Sequence, residues 1–262
     1  MTEGTALGRT PIGGLAAAVG GLLAVTIALL AIHRGLAPLR AVSRVADVGG
    51  LRQIDLVNAL QFRRRLRVAL KHPVALDDDE AALVRRFYDG IEKYTPQLVS
   101  WNGGGFDLPV LNYRALINGV TATRFWEWGD EDRSFNYNNY ISRYHKRHLD
   151  LMDILAFYQA RANAPLDEVA KLCGFPGKLG FDGSQVWDAW CDGKIEGIRN
   201  YCETDVANTY LVFLRFQRLR GALDEGQYQQ ELALVRTTLA RANMAHWRDY
   251  LEAWPTSTPA QP

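Results

Sequence analysis

Two short acidic motifs carry the residue types that hard-cation chemistry requires. In Asn102-Gly-Gly-Gly-Phe106-Asp107, a glycine-rich turn puts a carboxylate just past the apolar segment QLVSW, where α/β sheets place their ligands. In Tyr201-Cys-Glu-Thr-Asp205, a spacing of four puts a phenol and a carboxylate one helical turn apart on one face. Facing one cleft, Asp107 and Asp205 would form an oxygen site suited to Mg²⁺ or Mn²⁺. The Tyr201 hydroxyl would then stand where it can orient a water made nucleophilic by the metal. Lys178, in the loop after Gly-Phe-Pro-Gly, could touch phosphate, although a lone exposed lysine is more often solvated surface.

The elements that must position these residues follow from local pattern. DDDEAALVRRFYDGIEKY opens on acidic residues and sets Ala82, Leu83, Phe87 and Ile91 at helical spacing, which predicts an N-capped amphipathic helix. QLVSW reads as a short buried strand, and the glycine turn should feed a helix over 108–117. A second short strand is expected over 148–152 and helices over 166–172 and 198–219, the last with a continuous apolar face that carries Tyr201 and Asp205. Asp150 and Asp153 close that second strand or cap the helix after it, with a direct metal role as the minor reading. The aromatic stretch Phe125, Trp126, Trp128, Phe135, Tyr137, Tyr140 and Tyr144, ending in His145-Lys-Arg-His148, could stack on and neutralise a single strand, with about half of its rings in the core.

The chain has 262 residues, 48% hydrophobic and 23% charged, which excludes disorder, collagen and a disulfide scaffold. Its net charge of +1 hides an asymmetry: up to residue 76 there are 10 basic and 3 acidic residues, and beyond it 20 and 26. Two regions of different nature are therefore joined, the basic one suited to a membrane surface or nucleic acid. Residues 15–32, LAAAVGGLLAVTIALLAI, carry no charge and as a helix would reach about 27 Å, enough to cross a bilayer. Arginines accumulate after the run, at Arg34, Arg40, Arg44 and Arg52, so as a membrane span, rather than a signal peptide or a buried Ala/Gly-rich helix, it puts the rest of the chain in the cytoplasm at the inner membrane by the positive-inside rule; a gene-model artefact at the N-terminus would leave the chain cytoplasmic. Cys173, Cys191 and Cys202 lack metal-ligand spacing and read as reduced thiols. The organisation expected is a segment with one transmembrane helix (1–33), a basic linker (34–76), an α/β domain (77–254) and a disordered tail (255–262).

Together with the two motifs, LVSWNGGGFDLPVL, WGDEDRSFNYNNYISRYHKRHLDLMD, GFPGK and VWDAW resemble the predicted 3′-5′ exonuclease domains related to the proofreading domain of family B DNA polymerases. The resemblance runs from about Ala81 to Trp254 and belongs to the ribonuclease H-like superfamily. It implies a mixed sheet flanked by helices and a site that holds two ions, Mg²⁺ or Mn²⁺. It also implies metal ligation by Asp107 and Asp205, positioning of the attacking water by Tyr201, and a turn and floor under the terminal nucleotide shaped by Asn102 and Phe106. The substrate implied is the 3′ end of single-stranded nucleic acid, with DNA the expected form.

The family's first motif, Asp-x-Glu on an opening strand, has no match ahead of the glycine turn. Asp78 and Glu80 have the spacing but sit at a helix start, and Asp55 is followed two residues on by Val57 rather than by Glu. The N-terminal strand set is accordingly expected to be incomplete. The expected function is metal-dependent 3′-5′ exonuclease action. The alternative is a catalytically inactive, membrane-tethered module that binds single-stranded nucleic acid or a protein.

Overall fold

The computed structural model describes residues 80–181 and 183–255. The apolar run 15–32, the basic linker, Asp55, Asp78 and most of the tail lie outside the described residues. Among the described residues no helix is long and apolar enough to cross a membrane.

The helix expected after the acidic run is present among the described residues: α1 spans Glu80–Tyr94. Strand β1, Leu98–Ser100, comes next and runs through the glycine turn into α2, Asp107–Ile117. After a long irregular crossover comes β2, His148–Asp150, and the chain turns at once into the short helix α3, Leu151–Leu155. The expected strand over 148–152 is therefore cut short, because Leu151 becomes a fully buried helical residue. Helix α4 is Leu166–Leu172, α5 is Val186–Cys191, and α6, Ile195–Leu219, spans about 37 Å. Two further helices, α7 (Glu225–Ala242) and α8 (Ala245–Ala253), close the described chain. Their start had a readable signal: Asp224 and Gln227 form a reciprocal capping box, the Asp224 side chain accepting from Gln227 N and the Gln227 side chain from Asp224 N.

The fold is helix-rich α/β. β1 and β2 pair in parallel, with Leu98 opposite His148, Val99 opposite Leu149 and Ser100 opposite Asp150. In place of the mixed sheet expected, the described residues hold this parallel pair, which a crossover through α2 permits and a tight hairpin would not. Alternation along the strands sends side chains to two cores. Leu98 joins Phe87, Tyr88, Ile91, Leu108, Leu111 and their neighbours under α1 and α2. Val99 and Leu149 face Leu151, Phe175, Leu211, Leu214 and Trp247, in a core built with α4, α6, α7 and α8. Parallel pairing has one consequence for function: both strands end at the same edge, so the glycine turn and Asp150 meet there.

The aromatic stretch divides between core and surface. Phe125, Phe135 and Tyr140 are buried, and the Tyr140 hydroxyl donates to the Pro96 carbonyl at 2.6 Å. Trp126, Trp128, Tyr137 and Tyr144 are exposed. Of the basic run that ends the stretch, Arg147 lies over the Phe135 ring at 3.8 Å, His145 Nδ1 accepts from Asn139 N, and His148 is buried. Of these four, Lys146 alone is exposed, because packing has claimed the other three.

Candidate functional site

The turn after β1 is held by Asp150, a carboxylate whose sequence position suggests only a strand end or a helix cap. Asp150 Oδ1 accepts from Asn102 N and its Oδ2 from Gly104 N, each at 2.8 Å. Asp150 is buried, and both of its oxygens face the turn rather than the first amides of α3. Asn102 sits at φ +61°, a left-handed conformation that asparagine tolerates better than most residues. Its carbonyl accepts from Gly105 N and Phe106 N, which closes the turn and leads Asp107 into the first position of α2. Phe106, at the end of this turn, is 37% exposed.

Gly103 is required by space. A β-carbon there would lie 2.4 Å from Ser100 Oγ and 2.5 Å from Ser100 Cβ. The serine cannot swing aside freely, because its hydroxyl is bonded to His148 Nε2 at 2.7 Å. Burial holds the His148 imidazole below its ordinary pKa, against the opposing charges of Asp150 and Asp153. Gly103→Ala is expected to destabilise the fold by about 2–3 kcal/mol through overpacking. A urea midpoint equal to that of the native chain would show that the turn can yield.

Helix α6 brings the second motif to the same place. Tyr201 and Asp205 lie one turn apart as the spacing predicts, and the Tyr201 hydroxyl hydrogen-bonds the Asp205 carboxylate. Burial pushes the Asp205 carboxyl above its ordinary pKa, while that hydrogen bond and the charge of Lys178 pull it back and Asp167 adds to the rise. Asp205 Oδ1 is buried with no hydrogen-bond partner among the described residues. Lys178 is also gathered in, its Nζ 5.6 Å from the centre of the Tyr201 ring, which Phe181 flanks at 5.2 Å.

Asp107 shares this environment. Burial, followed by the charge of Asp150, lifts its carboxyl to about 7, with a hydrogen bond to its own backbone opposing and the charge of Asp205 adding. A carboxyl raised in the folded state favours folding below its unfolded pKa near 3.9, and that contribution is lost as pH rises through about 7. In EDTA, the stability gap between Asp107→Asn and the native chain is therefore expected to widen in favour of the variant between pH 4 and 8. Parallel urea midpoints across that range would refute the assignment.

Residues that sequence reasoning missed support the site from behind. Asn208, three residues after Asp205 and fully buried, accepts from Gly177 N at 3.2 Å and Tyr250 Oη at 2.7 Å, and donates to the Gly177 carbonyl at 2.9 Å. Asp167 Oδ1 accepts from Lys178 N at 2.6 Å. Together these bonds set the GFPGK loop beside α6 and tie it to α8. Only the i,i+3 spacing of Asp205 and Asn208 could have signalled this, since Gly177 and Tyr250 are remote in sequence. Glu203, the other acid of the second motif, accepts from Arg199 Nε at 3.0 Å and pairs with His246 Nε2 at 2.8 Å, so it fastens α8 rather than joining Asp205.

A family profile described as predicted 3′-5′ exonucleases related to the exonuclease domain of PolB matches residues 51–254. The chain belongs to this family. The exonuclease-family region begins 30 residues ahead of Ala81, within the basic segment, and takes in Asp55 and the arginine-rich residues 57–70. No curated protein and no solved structure was found to match the chain. In this family member Asp150 holds the turn that carries Asn102, Phe106 and Asp107, and the charge of Asp205, beside Tyr201 and Lys178, reaches Asp107.

Proposed function

We propose that the chain removes nucleotides from the 3′ end of single-stranded nucleic acid by divalent-metal hydrolysis. The observation that carries this reading is the buried, unpartnered Oδ1 of Asp205, close enough to Asp107 for its charge to act there. A desolvated carboxylate oxygen without a donor is costly to the fold and suits a cation. Asp107 and Asp205 would hold Mg²⁺ or Mn²⁺, which would supply an activated water and charge neutralisation at the phosphodiester. The Tyr201 hydroxyl, held against Asp205, orients that water. Lys178 offsets phosphate charge beside it, and Phe106 at the lip supports the terminal base.

The test is digestion of a 5′-labelled single-stranded oligonucleotide with Mg²⁺ or Mn²⁺. A ladder that shortens from the 3′ end, absent with EDTA and with Asp205→Asn, supports the reading. No ladder from protein with a cooperative melt would sink it.

A second reading, a module that binds the strand without cutting it, has one observation in its favour. Among the described residues, no group of three or more His, Cys, Asp or Glu is placed to hold a metal ion. Oligonucleotide binding without metal-dependent turnover would select that reading. Either module would be held at the cytoplasmic membrane by residues 15–32, which fractionation of the full chain against one lacking them would check.

A further inference from the structure

Helix α3 leaves the site directly from Asp150 and ends in an unusual way. Phe157 N donates to the Ile154 carbonyl at 3.1 Å and Tyr158 N to the Asp153 carbonyl at 2.7 Å, the bond pair of a Schellman turn. Such a turn takes a left-handed residue, ordinarily glycine or asparagine, because a β-carbon is crowded there. Here the two left-handed positions, at φ +50° and +60°, hold Phe157 and Tyr158.

Packing does not compensate for the strain at Phe157, whereas Tyr158 has partners. Phe157 is 83% exposed and makes no ring contact among the described residues. Tyr158 meets the edge of Tyr144 at 4.8 Å and lies under the Arg143 guanidinium at 5.3 Å. Arg143 is itself steadied by Asp153 at 2.8 Å. Tyr144 is 68% exposed, and Lys146 and Arg161, close by in sequence, are exposed cations. An aromatic residue kept in solvent at the cost of backbone strain marks a site of function rather than of folding.

We propose that Tyr144, Phe157 and Tyr158 form a stacking platform for unpaired bases of the nucleic-acid strand, upstream of the terminus held at Asp107 and Asp205. The inference rests on the reading of that site as a 3′-end site. The length of α3 puts Phe157 roughly 10 Å from Asp150, a span of about three stacked bases. Aromatic faces accept any base, and Arg143 over Tyr158, with exposed Lys146 and Arg161 close in sequence, would complement the strand's phosphates, which a neutral peptide would not use.

The test is the affinity of the full chain, in EDTA, for a fluorescent single-stranded oligonucleotide and for a labelled dinucleotide too short to bridge the two places. Phe157→Gly removes the ring and relieves the strained position. It is expected to weaken binding of the long strand by about tenfold, to leave dinucleotide binding unchanged and not to lower the melting temperature. Phe157→Trp should restore the long-strand affinity. Equal binding of the long strand by Phe157→Gly and the native chain would overturn the platform alone. A melting temperature that falls together with binding would assign the ring to packing and also overturn it. Failure of the native chain to bind either probe would overturn both the platform and the 3′-end reading.

Discussion

Asp205→Asn is expected to abolish metal-dependent shortening of an oligonucleotide, by about a thousandfold or more, while making the metal-free fold more stable. The two effects share one cause. Asp205 is kept largely from water, its carboxyl is raised chiefly by burial, and its Oδ1 has no hydrogen-bond partner among the described residues. An unsatisfied buried acceptor costs a fold about 1–3 kcal/mol, and a charge costs more. The amide keeps an acceptor for the Tyr201 hydroxyl and removes the charge, so a gain of about 1 kcal/mol is expected at pH 8. It shrinks as pH falls and the native carboxyl takes up its proton. Loss of a cation ligand removes several kcal/mol of charge stabilisation in the transition state, which is the thousandfold. Initial rates with Mg²⁺ and urea midpoints in EDTA check both halves. A variant that is inactive but less stable than the native chain would mean that Asp205 acts as a structural acceptor.

Asp150→Ala should do the reverse to stability. Its two oxygens are the acceptors for Asn102 N and Gly104 N, so the substitution leaves two amides of the turn without their partner. Hydrogen bonds to a charged group are worth about 1.5–3 kcal/mol each, and a loss of about 3–5 kcal/mol is expected. Asp150→Asn offers a poor repair, since one of its two atoms would set an N–H against a backbone N–H. Activity should fall in both, because Asp107 follows the turn and is placed by it. Hydrogen exchange makes the test local: the Asn102 and Gly104 amides should exchange faster in Asp150→Ala but not in Asp205→Asn. Unchanged exchange at those two amides would mean that Asp150 does not hold the turn. The pair of variants also separates the two ways of losing activity, one through a ligand in a sound fold and the other through a collapsed turn.

Much of the frame was legible without coordinates because it is local. Helical spacing marked Glu80–Tyr94 and Leu166–Leu172, the apolar step into glycines marked β1 and the start of α2, and i,i+4 spacing put Tyr201 and Asp205 on one face. Each of these depends on residues within a turn or two of one another, where backbone geometry repeats. The family was legible for the same reason, since its motifs are short runs carried on such elements, and residues 51–254 bear it out.

The tertiary structure decided what depends on distant partners. Asp150 and the turn it holds are 46 and 48 residues apart, and Asn208 meets Tyr250 across 42, so no periodicity could pair them. Burial is equally non-local: the sequence put seven rings in one aromatic stretch, but only packing under α1 and α2 made Phe125, Phe135 and Tyr140 core and left Tyr144 in water. Tyr158, which meets Tyr144 edge-on, comes from a helix end outside that stretch. Residue type and spacing, then, sufficed to point to Asp107, Tyr201 and Asp205 as candidates for hard-cation chemistry. Which carboxylate keeps an orphaned oxygen and which is consumed in holding the turn was settled by the desolvation and hydrogen bonding that the folded chain alone imposes.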